Sequence, residues 1–428
     1  MSDFDLQRWL RRAQVQGIKL GLDNIRTALR VLGQPQASFP SLLVGGTNGK
    51  GSVVAMAEAM LIAEGRSVGA TTSPHLTHYR ERFRVDGVTI AEDELLSIAR
   101  TVAATIDPHD AVADITFFEL TIALAMALFH RRRVDCAVVE VGMGGEFDAT
   151  RAANPAVAAL TSVDLDHVRH LGPTVQDIAR TKARVAERGM TIVVGERRED
   201  RLGPIREEIA AAEATGLYAG SDFDLRPGGD GLFVFEGMGR RVDGIQLGLR
   251  GLHQRSNAAV AVASVLSFVQ SATLPPLSGH AIRTGLGKAF VPGRQEEVRL
   301  DDRITVLLDG AHNTAGAESL ATTLLDRQVP RRTLLFASMK DKDRSGIYDA
   351  LLPHVDAVWC CKGDSTPRFA EPADLVSEIA QRGVPATDVG TPAAGFAMAR
   401  RSLPDGAELL VAGSLYLVGD VRPLLGLG

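Results

Sequence analysis

A glycine-rich run, GGTNGKGS at 45–52, lies between a short apolar segment and a stretch with helical spacing. Glycines let backbone N–H groups turn toward an anion, and the start of a helix adds partial positive charge. The order of strand, loop and helix favours a phosphate-binding loop over a glycine turn that carries a surface lysine. The predicted nucleotide contacts in this loop are Thr47, Asn48, Gly49, Lys50, Gly51 and Ser52.

The run departs from the common phosphate loop G-x-x-x-x-G-K-[ST] at two positions. Gly51 occupies the place of the magnesium-binding hydroxyl, and Val44 occupies the place of the first glycine. A metal on the nucleotide would therefore need a hydroxyl from elsewhere. Ser73, at the end of the next predicted strand, is the candidate.

Three further polar residues lie where predicted strands end. Glu140 closes the apolar run CAVVEVG at 136–142, where a buried carboxylate needs a metal or a basic partner. His167 and Asp309 each follow another apolar run, at the strand ends where α/β proteins bind ligands. The alternatives are a capping or surface histidine and a simple Asp-Gly turn.

The elements that position these residues alternate along the chain. Continuous apolar runs such as 41–46 and 156–163 are typical of strands buried in a parallel sheet, and helical spacing follows several of them. The pattern predicts a doubly wound α/β fold. Residues 217–249 look like a small antiparallel patch. Proline and glycine near position 295 predict two domains, 1–294 and 295–428.

Composition excludes several classes of protein. A net charge of −5 does not indicate a nucleic-acid surface, and three cysteines, two of them adjacent, do not indicate a disulfide framework. The apolar stretch 115–129 contains Glu119 and falls short of the roughly 20 residues that cross a bilayer, so we expect a buried helix. The N-terminus lacks the apolar core of a signal peptide. These features predict a cytoplasmic protein without nucleic-acid or membrane partners.

A series of short motifs resembles the folylpolyglutamate synthase/dihydrofolate synthase family of the Mur ligase superfamily. Each motif is weak alone, but all occur in the family's order, from about residue 18 to residue 421. They are GTNGKGS (46–52), SPHL (73–76), ERF (81–83), FFE (117–119), EVGMGGEFDAT (140–150), LDH (165–167), KARV (182–185), GLHQRSNAAVA (251–261), PGRQE (292–296), DGAHN (309–313), KDKD (340–343) and AGSLYLV (412–418).

The resemblance implies an N-terminal phosphate-loop ATPase domain of the Mur ligase type and a C-terminal Rossmann-like domain. It implies ATP, two Mg²⁺ sites and a monomer that closes over its substrates. Ser73, Glu140 and His167 match positions that bind magnesium. Lys182 matches a lysine carboxylated by CO₂, whose carbamate helps to hold a second metal. By chemistry alone, Lys182 in a helical pattern would be a solvated charge.

Further roles come from the same matches. The implied catalytic residues are Lys50, His167, Lys182 and Arg294. The implied ATP contacts outside the loop are Asn257, Arg294, Asp309 and His312. The residues implied to line a pterin site are Ile18, Lys19, Leu20, Thr116, Phe117, Phe118, Glu119, Phe147, Asp148 and Ala149. Glu146 and Arg151 depart from the glycine loop of many relatives, which puts pterin preference in doubt.

The implied reaction joins L-glutamate to a folate-type carboxylate, either dihydropteroate or a reduced folate, through an acyl phosphate made with ATP. Carboxylate and γ-phosphate are both negative, so cations such as Lys50, Arg294 and magnesium are needed to neutralise them. Two alternatives are open: a Mur-type ligase of peptidoglycan synthesis, and an ATP-binding regulatory module without ligase activity. The missing separate sugar-nucleotide domain argues against the first, and the matched set of Glu140, His167, Lys182, Arg294 and Asp309 argues against the second.

Overall fold

The computed structural model describes residues 4–17, 19, 21–107, 109 and 114–427. Contacts within the chain divide it into two compact units. The first unit comprises residues 1–75, 79–248 and 254–290, and the second comprises 76–78, 249–253 and 291–428. Arg294, which the sequence-based boundary assigned to the end of the first domain, lies in the second unit.

The first unit is built on an eight-stranded sheet with the order β4-β3-β2-β5-β1-β6-β7-β8. All neighbours pair in parallel except β2 with β3 and β3 with β4. The strands are β1 (Ser41–Gly45), β2 (Val68–Thr71), β3 (Phe83–Val85), β4 (Val88–Thr89), β5 (Cys136–Glu140), β6 (Pro155–Leu160), β7 (Thr191–Val194) and β8 (Thr215–Tyr218).

Ten helices belong to the described part of this unit. They are α1 (Leu6–Val15), α2 (Asp23–Val31), α3 (Lys50–Ala63), α4 (Glu92–Ile106), α5 (Phe117–Arg132), α6 (Val168–Leu171), α7 (Val175–Ala183), α8 (Glu199–Ala211), α9 (His253–Ser271) and α10 (Gly279–Lys288). The central strands β1 and β5 are buried along their whole length, as expected for strands covered on both faces. Helix α5 is buried, as its apolar sequence predicts.

A separate antiparallel sheet with the order β11-β10-β9 completes the first unit. Its strands are β9 (Phe223–Pro227), β10 (Phe233–Gly237) and β11 (Arg240–Ile245). Phe223 and Phe235 are buried, whereas the alternate positions face outward. The predicted antiparallel patch in this region is confirmed.

The second unit contains a six-stranded sheet with the order β12-β13-β17-β14-β15-β16, parallel except for β12 beside β13. The strands are β12 (Glu296–Leu300), β13 (Ile304–Leu308), β14 (Arg332–Phe336), β15 (Ala357–Cys361), β16 (Ala386–Gly390) and β17 (Glu408–Ala412). The helices are α11 (Thr314–Leu325), α12 (Ser345–Leu351), α13 (Pro372–Ala380), α14 (Pro392–Ser402) and α15 (Leu415–Val421). Apolar clusters cover the two faces of the sheet.

The predicted fold class, two α/β assemblies with a small β-rich patch, is therefore confirmed. Across the described ranges, no helix is both long enough and apolar enough to span a membrane.

Candidate functional site

The glycine-rich loop joins β1 to α3, and two of its glycines are sterically required. Gly46 and Gly49 have φ angles of 133° and 89°. A Cβ atom on Gly46 would lie 1.9 Å from Thr161 Oγ1, and one on Gly49 would lie 2.4 Å from Asn257 Oδ1. Neighbouring side chains thus press against the backbone of the loop, and a residue with a side chain would displace them.

The segment after β6 holds the loop in place. Thr47 N donates to Ser162 O at 2.7 Å, and Asp164 N donates to Thr47 Oγ1 at 3.0 Å. Thr161 Oγ1 donates to Asn48 O at 2.6 Å. The loop is therefore fixed by hydrogen bonds to the segment that follows β6.

Two predicted ATP contacts, Ser52 in the loop and Asn257 on α9, belong to one buried network with Gln254. Asn257 Nδ2 donates to Gln254 Oε1 at 2.9 Å, and Gln254 Nε2 donates to Ser52 Oγ at 3.2 Å. Helix α9 thereby fastens the start of α3.

Two lysines meet at the loop. Lys50 Nζ donates to Thr47 O at 3.0 Å and to Gly46 O at 3.3 Å. Lys182 Nζ, from α7, donates to the same Gly46 O at 2.9 Å. Lys182 is only 5% exposed, so the interpretation of this residue as a solvated helix lysine is wrong. The backbone of α7 approaches closely because residue 145 is glycine: a Cβ there would lie 2.4 Å from Thr181 O.

Burial and, to a lesser extent, the neighbouring Lys50 ammonium together lower the pKa of Lys182 from 10.5 to about 7. Asp166 and Asp148 oppose this shift. A substantial fraction of the amine is therefore neutral near pH 7, and a neutral amine is the nucleophilic form.

The carboxylate of Glu140 lies at the end of β5, beside the loop. Its Oε2 accepts a hydrogen bond from Ser73 N at 3.1 Å. A Cβ on Gly51 would be 3.8 Å from the same oxygen. Two of the predicted metal ligands, Glu140 and Ser73, are thus brought together at the first turn of α3.

His167 precedes α6 with a left-handed backbone, φ 51°, and its Nε2 lies 3.9 Å from Asp166 Oδ2. Its side chain is half exposed. In the part of the chain that the structure describes, no three His, Cys, Asp or Glu residues form a group that could hold a metal by themselves. A metal here would have to take ligands of other kinds as well.

The predicted pterin residues at the start of α5 form a capping box. Thr116 N and Oγ1 both donate to Glu119 Oε2, at 2.9 and 2.8 Å, and Glu119 N donates to Thr116 Oγ1. The ring of Phe118 packs on Gly142, where a Cβ would approach within 2.5 Å. The Phe117 ring lies 5.3 Å from the Arg82 guanidinium. Both rings therefore have structural neighbours.

The loop after β5 presents one aromatic side chain, Phe147, which is 46% exposed. Asp148 is buried and accepts bonds from Met143 N, Thr150 N and Thr150 Oγ1, whereas Ala149 is buried beside it. Burial raises the pKa of Asp148. Asp148 shapes this loop and leaves Phe147 as its exposed apolar surface.

Lys19 Nζ binds Gln16 Oε1 and Asp114, the latter at 3.2 Å. Two other predicted pterin residues, Ile18 and Leu20, lie outside the described residues.

In the second unit, Asp309 follows β13 and is buried. Its Oδ2 accepts from Gln295 N at 3.1 Å and its Oδ1 accepts from Ala311 N at 2.8 Å. Burial raises the pKa of Asp309, and the nearby Arg294 guanidinium opposes that shift. His312 Nδ1 donates to Gly310 O at 2.8 Å. Arg294 and His312 therefore both lie close to the Asp309 carboxylate.

Two domain families match the chain. The Mur ligase middle domain matches residues 44–265, and the Mur ligase glutamate ligase domain matches residues 293–415.

Relatives that match nearly the whole of this chain make the family assignment more specific. The chain is 38% identical to a probable bifunctional folylpolyglutamate synthase/dihydropteroate synthase of Haloferax volcanii, over 96% of this chain and 49% of the relative, so it spans about half that relative's length. It is 34% identical to the dihydrofolate synthase/folylpolyglutamate synthase of Mycobacterium tuberculosis, over 98% of this chain and 92% of the relative. The chain belongs to the folylpolyglutamate synthase/dihydrofolate synthase family.

Solved structures of this family share the fold. Escherichia coli FolC in complex with DHPP and ADP superposes with a TM-score of 0.88 at 28% identity, covering 99% of this chain and 98% of that one. A bifunctional folylpolyglutamate synthase/dihydrofolate synthase with Mn, AMPPNP and L-glutamate bound gives a TM-score of 0.86 at 29% identity, with 99% of both chains covered.

Sequence reasoning missed the residues that hold the family's phosphate loop in this chain, namely Thr161, Ser162, Asp164 and Gln254. Thr161, Ser162 and Asp164 lie at the end of a predicted strand, and Gln254 opens a helical pattern, which was the available signal. Their partners lie more than 100 residues away in the chain, so no local pattern could identify them.

Proposed function

We propose that the chain is an ATP-dependent ligase that forms an amide between L-glutamate and a folate-type carboxylate. The observation that carries the proposal is a phosphate loop in which Lys50 and Lys182 both donate hydrogen bonds to one carbonyl oxygen, Gly46 O. An isolated glycine turn has no need of a buried second lysine, whereas a site for several phosphate charges does. Membership of the family and the DHPP, nucleotide and L-glutamate in its solved structures support the choice of substrates.

The chemistry requires activation of the acid. A carboxylate oxygen forms a bond to the γ-phosphorus of ATP while the bond to the ADP oxygen breaks, which gives an acyl phosphate. The glutamate amine then forms a bond to the acyl carbon, phosphate leaves, and the nitrogen loses a proton. Lys50 is placed to bind the phosphates and to offset their charge as the two anions meet. We assign Arg294 the same electrostatic role.

A divalent cation fits part of the predicted ligand set. Glu140 supplies an oxygen donor beside the loop, Ser73 is hydrogen bonded to it, and oxygen ligands are those that magnesium prefers. When bound, the cation would neutralise phosphate charge. The proposal also includes His167 as a residue that would hold the cation, and a second magnesium site with Lys182.

Carboxylation of Lys182 is the finer part of the proposal. The neutral amine would attack CO₂ and lose one proton, which gives a carbamate. Burial against Gly46 O and a pKa of about 7 support this reaction, because an ordinary lysine amine is almost wholly protonated at neutral pH.

The acid substrate is expected to contact the exposed ring of Phe147 and the start of α5. Because the capping box of Thr116 and Glu119 is intact, we propose that both dihydropteroate and reduced folates are accepted. The monomeric state and the cytoplasmic location remain predictions from sequence.

The decisive experiment measures ADP release with ATP, Mg²⁺ and L-glutamate, offering dihydropteroate and tetrahydrofolate separately. Glutamate-dependent release with both acids is expected, and release with one acid would restrict the activity to that step. Lys50→Ala should abolish release, whereas Lys288→Ala, at an exposed position of α10, should not. A folded protein that binds ATP but releases no ADP with either acid would refute the proposed substrates.

A further inference from the structure

The backbone around Arg294 has an unusual conformation. Gly293 has a φ of 69°, and Gln295, which is not glycine, has a φ of 49°. Left-handed backbone at a residue with a long side chain persists only where surrounding contacts hold it. Arg294 lies between these two residues, so their conformation determines the direction in which its side chain leaves the chain.

Two backbone contacts fix this segment to the end of β13. Gly310 N donates to Gly293 O at 2.9 Å, and Gln295 N donates to Asp309 Oδ2 at 3.1 Å. A Cβ atom on Gly310 would be 3.3 Å from Arg294 Nη1, so the guanidinium lies directly over this glycine. The guanidinium is therefore held close to the turn that contains Asp309.

The side chain of Gln295 provides a third attachment. It is 3% exposed, and its Nε2 donates to Thr323 Oγ1 at 3.0 Å on α11. The same helix also contacts His253: Ser319 Oγ on α11 lies 2.6 Å from His253 Nδ1. A Cβ on Gly251 would lie 2.6 Å from His253 Cε1 and 2.7 Å from Gln295 Nε2, so these side chains pack together.

We propose that Gln295 is a positioning residue for Arg294. Its amide, bonded to Thr323, and its backbone N–H, bonded to Asp309, keep residue 295 left-handed and so direct the guanidinium toward the phosphates of a bound nucleotide. This role rests on the proposed function, because it assumes that Arg294 binds phosphate. In this proposal Gln295 acts through Arg294 and not on the substrate directly. A simple packing role for the same side chain would stabilise the unit without acting through Arg294.

A double-mutant cycle separates the two roles. Gln295→Gly removes the amide without adding strain, since glycine tolerates the left-handed backbone. Thr323→Val removes the partner hydroxyl and leaves Gln295 in place. Thr322→Val is the matched control, because Thr322 is exposed and its Oγ1 donates to Glu318 O within α11. Each variant is made in the wild type and in Arg294→Ala, and each is checked by thermal unfolding.

Displacing a catalytic cation by about 1 Å costs on the order of 100-fold in rate, so Gln295→Gly should lower kcat about 10- to 100-fold. Thr323→Val should lower it in the same direction and Thr322→Val should not. In the Arg294→Ala background, Gln295→Gly and Thr323→Val should cause no further loss. Losses that add in that background, or an unchanged kcat in Gln295→Gly, would overturn the proposal. If Gln295→Gly does not fold, the Thr323→Val cycle decides in the same way.

The affinity for a fluorescent ATP analogue gives a second measurement that needs no turnover. Gln295→Gly should weaken binding in the wild type and not in Arg294→Ala. If the wild type ligates glutamate to neither folate acid, the proposed function fails, but this affinity cycle still decides the role of Gln295. Equal weakening in both backgrounds would refute positioning through Arg294.

Discussion

Replacing Lys182 by methionine should stabilise the fold while it removes ligase activity. Lys182 is buried, and its pKa falls from 10.5 to about 7 on folding. Between these two values the unfolded chain binds more protons than the folded chain, so wild-type stability rises with pH across this window. The free-energy cost of burying the amine is largest below pH 7 and disappears above pH 10.5. Methionine has a similar length and no proton to lose.

The magnitude follows from the two pKa values. Protonation of Lys182 in the unfolded chain lowers the wild-type free energy of unfolding by about 4 kcal/mol at pH 7 and by about 2 kcal/mol at pH 9. Methionine removes this penalty, but it also loses the hydrogen bond to Gly46 O, which destabilises the variant by about 1 kcal/mol. The free energy of unfolding of Lys182→Met should therefore be about 3 kcal/mol higher than that of the wild type at pH 7, and this difference should be about 2 kcal/mol smaller at pH 9.

Urea unfolding in CO₂-free buffer at pH 7, 8 and 9 measures this difference without interference from carbamate formation. Lys288→Met, at an exposed lysine, is the control and should show no pH-dependent difference from the wild type. A Lys182→Met variant that is less stable than the wild type at pH 7 would refute the reasoning. So would a difference that stays constant across the pH range, since only titration of the buried amine predicts the slope.

Three shorter predictions concern other positions. Gly49→Ala should lower the affinity for a fluorescent ATP analogue at least about tenfold because of its 2.4 Å clash with Asn257, whereas Gly65→Ala, with a similar φ and nothing within 4 Å, should cost only about 1 kcal/mol of stability in urea unfolding. Burial lowers the pKa of His253 from 6.5 to about 4, so the unfolded chain is protonated at a higher pH than the folded chain. Between pH 7 and 4.5 the free energy of unfolding of the wild type should therefore fall by about 2 kcal/mol more than that of His253→Gln in the same assay. Arg151→Asn should cost about 1 kcal/mol by breaking the ion pair with Glu187 and should leave the ratio of dihydropteroate to tetrahydrofolate activity unchanged; a changed ratio would show that Arg151 contributes to pterin preference.

The buried strands were predictable from sequence and the edge strands were not. The runs that became β1, β5 and β6 are apolar along most of their length because helices cover both faces of the sheet. Strand β16, ATDVG, is mostly exposed, and β4 contains only two residues. At an edge, backbone pairing with one neighbour determines the structure, and side-chain polarity carries little signal.

The part of the candidate site that lies in one short stretch of sequence was predictable. The phosphate loop is such a run, since glycine, lysine and a helix start are adjacent in the chain. Lys182 is the opposite case: its helix looks amphipathic and solvated in sequence, yet the glycine at 145 lets that helix approach and bury the amine. Only the family resemblance pointed to Lys182, because its environment is assembled from residues that are distant in sequence.

The missing hydroxyl at position 51 has a structural explanation in Glu140. A Cβ at residue 51 would have ordinary contact distance to Glu140 Oε2, 3.8 Å, and Gly51 does not have a left-handed backbone. Glycine is therefore not required there for steric reasons, unlike at Gly46 and Gly49. The position opposite the first turn of α3 is taken instead by a carboxylate that also accepts a hydrogen bond from Ser73 N. The same contact brings the backbone of Ser73 to Glu140, so these two predicted magnesium ligands are neighbours beside α3.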